Sequence, residues 1–296
     1  MLRAARHAGI RITLLYTVYK CGGLREEPLT DRQRRFAAPS LEAVERALDL
    51  LAADPLVDGA MASVGIAIHS VRAVPTHWLS CIAELARQRQ MALHVHASEQ
   101  QMEVRECYTV TGRSPIGLLE AEGVLSPSTT LIHATHLSDE DIKAISHSGA
   151  SVCLCPSTEG DLGDGVPRAA DLFDAAVPLS IGSDSHVVID PFAELRSAEF
   201  QARAATGRRC VLRDQRGNVA PWLFKKMGHE NGYTALGLPM HKDFVQLDER
   251  ARALQPHTSS AELLSTAFSS AHPGLVSRVC VGGQDVVVDG RHAESH

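Results

Sequence analysis

The sequence predicts an α/β protein built as a partial TIM-like (β/α)8 barrel, with a small β layer near its C-terminal end. Three observations carry that expectation. Six near-continuous apolar runs, each followed by a helix-length segment, imply a parallel sheet covered on both faces. His69, His96, His133 and Asp184 each fall at the C-terminal end of a different run, where barrel enzymes assemble their sites. Past Gly207 the alternation stops, and short β-runs separated by turn residues take over. An open doubly wound sheet would satisfy the alternation equally well; the four strand ends favour the barrel. At 296 residues the chain suits one large α/β unit or two smaller ones.

Taken in order, Arg11–Tyr19 is the first strand and Leu24–Phe36 a polar loop rich in Arg and Glu. Ser40 caps a helix over Leu41–Ala53, whose Leu41, Val44, Leu48 and Leu51 recur at helical spacing. Val64–Ile68 is the second strand, ending in His69-Ser-Val-Arg72, and Thr76 caps a helix to about Gln90. Ala92–His96 is the third strand, with helix from Glu99 to about Tyr108. Thr129–Ile132 is the fourth, ending in His133-Ala-Thr-His136. The connections on either side of it each fit one helix. Ser138 followed by Asp139, Glu140 and Asp141 starts the second of these, because carboxylates favour the positive end of a helix dipole.

Ser151–Cys155 is the fifth strand, followed by a long loop over Pro156–Gly165. Leu179–Gly182 is the sixth, ending in Ser183-Asp184-Ser-His186, and Asp190-Pro191 opens a helix at its cap and first position. Arg208–Asn218 reads as irregular, and Ala220–Leu236 as one or two helices. Asp243–Asp248 and Val276–Asp289 are β-runs, the second a hairpin across Gly282-Gly-Gln. Gly290–His296 reads as a frayed tail. Residues 1–236 are expected to form the incomplete barrel, and 237–296 the C-terminal part of a small β-sandwich.

A net charge of −6 gives no electrostatic footprint for nucleic acid or an anionic membrane. The seven cysteines are odd in number, scattered and without a CxxC pair, which suits reduced thiols and a cytoplasmic protein. Cys153-Leu-Cys155 puts two thiols on one strand face, read as small core residues ahead of zinc ligands. No apolar run approaches the ~20 residues that span a bilayer. The basic Met1–Arg6 followed by Ile12–Tyr19 mimics a signal peptide, but Lys20, Cys21 and the lack of an Ala-x-Ala-like site argue against one.

The chemistry centres on Met91-Ala-Leu-His-Val-His-Ala-Ser-Glu-Gln100. Residues i and i+2 of a strand share a face, so His94 and His96 look into one interior with Glu99 on the loop just beyond. An imidazole ligand and a carboxylate at a strand mouth suit a metal-assisted hydrolase. The strand ends offer His96 and Asp184 as metal ligands, and His133 and Glu99 as proton-transfer groups. Arg72 with His69 would hold an anion. On residues alone other readings stay open: core histidines bonded to backbone carbonyls, Asp184 as a helix cap, and Arg72 as a solvated or salt-bridged arginine. His136 and His186 receive no role.

His94-Val-His-Ala-Ser-Glu-Gln100, Ile132-His-Ala-Thr-His136, Ser157-Thr-Glu-Gly-Asp-Leu-Gly-Asp-Gly165 and Gly182-Ser-Asp-Ser-His186 together resemble the amidohydrolase superfamily, and within it the formimidoylglutamate deiminases of histidine degradation. Ile68-His-Ser-Val-Arg-Ala-Val74 and Val281-Gly-Gly-Gln-Asp-Val-Val-Val-Asp-Gly-Arg-His292 extend the resemblance nearly end to end. It implies one zinc ion per site, other divalent metals being alternatives, at the mouth of a (β/α)8 barrel. His96 and Asp184 would be ligands, while Glu99, His133 and Asp184 would activate water and deliver protons. His69 and Arg72 would contact a small anionic amidine, whose carboxylates suit a guanidinium fork. The implied reaction is hydrolysis of N-formimino-L-glutamate to N-formyl-L-glutamate and ammonia.

In that family the first barrel strand carries a further HxH pair with two more zinc ligands. Here the chain starts just before what would be the third strand. The resemblance thus implies an N-terminally truncated member, lacking two strands and the leading half of the small β layer. Catalytic zinc normally has three protein ligands, and His96 with Asp184 make two. Exposed strand edges would call for a covering partner, a second copy in a homodimer being the candidate. Two alternatives stand beside the deiminase: another deaminase of the superfamily acting on a ring amidine, and a catalytically inactive fragment. Arg72 and an aromatic content of only 4% favour an acyclic anion over a stacked ring.

Overall fold

The structure, a computed structural model, describes residues 1–293. A short helix α1 (Leu2–His7), not expected from the sequence, leads into β1 (Ile12–Val18). Within the polar loop lies one further turn of helix, α2 (Asp31–Arg34), before α3 (Leu41–Ala52), whose Ser40 hydroxyl accepts the Ala43 N–H as expected of a cap. β2 (Ala62–Ser70) is followed by α4 (Thr76–Gln88), capped by Pro75, so Thr76 is its first helical residue and not its cap. β3 (Leu93–Ala97) leads to two helices where one was expected, α5 (Gln101–Thr111) and α6 (Pro115–Ala121). Gly112 at φ 72° ends α5, and Ser114-Pro115 restarts the chain as cap and first position.

β4 (Thr129–His133) and α7 (Asp139–Ser148) follow, the latter opened by a capping box between Ser138 and Asp141. After β5 (Ser151–Leu154), the expected loop over Pro156–Gly165 is largely helix α8 (Pro156–Leu162), started by Pro156 at its first position. Next come α9 (Ala169–Asp174), β6 (Leu179–Ile181) and α10 (Pro191–Thr206), with Asp190 capping α10 through the N–H groups of Phe192 and Ala193. The expected one or two helices after Asn218 form a single run: α11 (Val219–Trp222), a π-helical stretch over Leu223–Glu230, and α12 (Asn231–Ala235).

The six strands pair in parallel in their chain order, β1 to β6, without reversal. A doubly wound sheet reverses its order at a switch point, so this is the wall of a barrel and the sequence-level tie is resolved. Ile66, Ile68, Leu79, Ile82, Leu93, Val95, Leu131 and Leu154 are at most 2% exposed where helices meet strands. Truncating one of them, as in Ile82→Ala, should cost about 2–5 kcal/mol. A register shift between Ile68 and Ser70 makes a bulge at His69, re-aiming that side chain at the end of β2.

β7 (Phe244–Leu247), α13 (Ser260–Ser270), β8 (Val276–Val281), β9 (Gln284–Val288) and β10 (Arg291–His292) complete the chain. The four strands form a separate antiparallel sheet in the order β10-β9-β8-β7. Gly282 and Gly283, both at positive φ, make the tight turn of the expected hairpin. Of the expected frayed tail, Arg291 and His292 instead pair with β9, and residues 294–296 lie outside the described residues. Arg11, one residue before β1, bonds Asp243, one residue before β7, through Nε–Oδ2 at 2.6 Å. Asp243 also accepts the Gly282 N–H and the Tyr233 hydroxyl. The guanidinium foremost, with these donors, holds its carboxyl well below the usual range.

Candidate active site

The sequence-predicted residues gather at the C-terminal rim of the parallel sheet. His96 sits near the end of β3 and His133 is the last residue of β4. Asp184 follows β6, and Glu99 lies between β3 and α5. His96, His133 and Asp184 each bring a donor atom to within 4.8 Å of the other two. The His96 and His133 rings stack with centroids 5.7 Å apart, and His69 lies 5.4 Å from His96 on the other side. Backbone strain concentrates here: Ser98, His133, Ala134, Asp184 and His186 all have positive φ without being glycine. Such conformations cost about 1–3 kcal/mol each and persist where the surroundings impose them.

His96 Nδ1–H donates to the His69 carbonyl at 2.7 Å, which fixes the ring and leaves its other nitrogen as a lone-pair donor. His133 is 1% exposed and lies between two carboxylates: Nε2 is 3.5 Å from Glu99 Oε1, and Nδ1 is 3.4 Å from Glu159 Oε1. Burial alone would lower its pKa. The hydrogen bond to Glu159 and the charges of Glu99, Glu159 and Asp184 outweigh burial and raise it. His69 goes the other way, down to about 4, through burial first and then the nearby His96 and Arg72. It is neutral at pH 7.

Arg72 stands one step back. Its Nε is 3.8 Å from Glu103 Oε1, and Glu103 Oε2 accepts the Glu99 N–H at 3.1 Å. Glu103 is 1% exposed, and burial pushes its pKa up to about 7 against the pull of Arg72. One buried carboxyl therefore joins the arginine to the loop carrying Glu99. His69 and His96 also line a cleft of about 780 Å³ along β1, with Tyr19, Gln33 and Arg35.

His94 shares its face with His96 but not its surroundings. Its Nε2–H donates to the Ala235 carbonyl at 2.7 Å, the core-histidine role. His136 Nε2 is bonded to the Asp164 carbonyl, and His186 is exposed. Sequence reading missed Glu103 and Glu159. Glu159 is fully buried, and its Oε1 accepts the Cys155 N–H at 2.8 Å. The signal for it was Pro156 directly after a strand, a helix start with a glutamate in its first turn. Reading that segment as loop hid the fact that Glu159 curls back to the strand end. His96 and Asp184 offer a nitrogen and an oxygen of the kind zinc or a similar divalent ion takes, with the His133 imidazole within 4.8 Å of both.

The sequence profile of the amidohydrolase family matches residues 1–247. Formimidoylglutamate deiminase of Pseudomonas aeruginosa is 36% identical over 98% of this chain and 65% of its own length. The crystal structure of an amidohydrolase from Brucella melitensis superposes with a TM-score of 0.89 at 33% identity, over 99% of this chain and 65% of that one. Atrazine chlorohydrolase TrzN of Arthrobacter aurescens, crystallised with zinc, superposes at 0.85 with 20% identity, over the whole of this chain and 65% of that one, a likeness of fold. The chain thus spans about 65% of the length of these relatives.

Proposed function

This chain belongs to the amidohydrolase family, and we propose that its rim hydrolyses N-formimino-L-glutamate to N-formyl-L-glutamate and ammonia with one zinc ion per site. The observation that carries the reading is the meeting of His96, His133 and Asp184 within 4.8 Å, beside an arginine held by a buried carboxylate. The name of the Pseudomonas relative supports the substrate, and the zinc in the Arthrobacter structure supports the metal.

His96, through the nitrogen left free by its bond to His69, and Asp184 would hold the ion. When bound, zinc supplies a Lewis acid that makes water nucleophilic near neutral pH. Asp184 takes a proton from the attacking water as its oxygen adds to the formimino carbon. His133, kept protonatable by Glu99 and Glu159, and Glu99 itself return protons to the substrate nitrogen, so that the C–N bond breaks with ammonia as the neutral leaving group. Water supplies the oxygen of the formyl product, and the atoms balance. Arg72 presents its fork to a substrate carboxylate, and neutral His69 offers a hydrogen bond without adding a charge.

Ammonia release from N-formimino-L-glutamate, with N-formyl-L-glutamate identified as co-product, tests the proposal. Release that a chelator stops and zinc restores is expected. No release from this substrate, or preferential release from a ring amidine, would overturn it.

A further inference from the structure

Behind the rim lies a second cluster. His133, Cys155 and Glu159 each bring a donor atom to within 4.8 Å of the others, and all three side chains are at most 1% exposed. Cys153 lies on β5 and Cys155 just past its end, and their thiols reach the Leu154 and Cys153 carbonyls, each at 4.0 Å. Gly182 faces both: a β-carbon there would lie 3.2 Å from Cys153 Sγ and 3.3 Å from Cys155 Sγ. The sulfurs are therefore held against one point. Glu159 Oε1 is engaged by the Cys155 N–H and His133, while its Oε2 is buried without a hydrogen-bond partner. A carboxylate oxygen so placed is costly unless a positive group meets it.

We propose that Cys155, His133 and Glu159, whose donor atoms already lie together, form with Cys153, once its side chain rotates toward them, a second cation site selective for thiophilic divalent ions such as zinc, cobalt and cadmium. Two sulfurs, a nitrogen and an oxygen suit tetrahedral coordination by these ions and exclude magnesium and calcium, which demand oxygen donors. As the ion enters, each thiol gives its proton to the buffer, and two thiolates with one carboxylate surround the divalent charge. The donors come from β4, β5 and α8, so the site exists only in the folded chain. It shares His133 with the rim. An ion here therefore withdraws the imidazole that the proposed hydrolysis uses, and thiophilic ions beyond the rim equivalent inhibit. Only this inhibitory consequence rests on the deiminase reading.

Cobalt(II) titration of the purified full chain, followed by absorbance, tests the site without reference to activity. Rim donors are nitrogen and oxygen, so a thiolate-to-cobalt charge-transfer band in the near ultraviolet reports thiol ligation, and variants at Cys153 and Cys155 distinguish this pair from the chain's other free cysteines, exposed Cys81 among them. The band should appear stoichiometrically in the wild type and vanish in Cys153→Ala/Cys155→Ala. It should fall to half or less in Cys153→Ala, a small change at a half-buried position that tests the site even where the double variant folds poorly. A wild type without the band, or a band that survives intact in Cys153→Ala, would overturn the proposal.

Discussion

The two ends of the parallel sheet are built on opposite rules. At the floor, where the strands begin, polar side chains meet partners. Thr13 bonds both Ser63 and the Leu236 carbonyl, Thr130 bonds Ser151, Asn231 bonds the Leu179 carbonyl and His94 bonds the Ala235 carbonyl. At the rim, Arg72 Nε, Glu103 Oε1 and Glu159 Oε2 are buried without hydrogen-bond partners, and the backbone is strained at His133, Ala134 and Asp184. Satisfied polar groups add stability, whereas unsatisfied ones cost it and are available to a ligand. His94 and His96, two residues apart on one face of β3, fall on either side of this division.

The sharpest way to break the comparison is Asp184→Asn. It should abolish ammonia release while leaving the urea midpoint of the metal-free protein within error of the metal-free wild type, because Asp184 is exposed and contributes little packing. Retained turnover would remove the rim from the chemistry.

The next effect is on stability. Glu103 ionises near 7 in the folded chain against 4.5 in the unfolded one. The folded state therefore holds the proton more tightly, and the contribution of Glu103 is best below pH 4.5 and is lost as pH rises to about 7. The loss should be about 3 kcal/mol by the size of that shift. Urea denaturation across this range should show the decline in the wild type and a flatter profile in Glu103→Gln. Equal profiles would mean that Glu103 is not strained by burial.

Arg72→Ala should raise KM for N-formimino-L-glutamate about 10–100-fold, the worth of a charge-assisted hydrogen bond, with a smaller change in kcat. An unchanged KM would take Arg72 out of substrate binding. Smallest is the floor: Thr13→Val should cost about 1 kcal/mol of stability and nothing in turnover. A loss of activity without loss of stability would contradict the division between the two ends.

Much of the fold was legible because parallel strands buried on both faces write themselves as apolar runs, and caps such as Ser40, Ser138 and Asp190 are local chemistry. The helix over Pro156–Leu162 was not, because Ser157-Thr-Glu-Gly-Asp is polar and glycine-containing and reads as loop; burial of Thr158 and Glu159 stabilises it. The meeting of His96, His133 and Asp184 was legible from strand ends, since in-register parallel strands bring those ends together. Glu103 and Glu159 were not. A charged residue in a helix's first turn looks like a dipole partner, and only the packing around it shows that it is buried against His133 or Arg72.

Zinc content after equilibrium dialysis, compared between wild type and variants, tests the central claim most directly, because the difference is blind to any ion the thiol pair retains. Asp184→Asn and His96→Gln should each hold one zinc fewer per chain than the wild type, while His94→Gln loses none. Equal zinc in the wild type and Asp184→Asn would contradict the account.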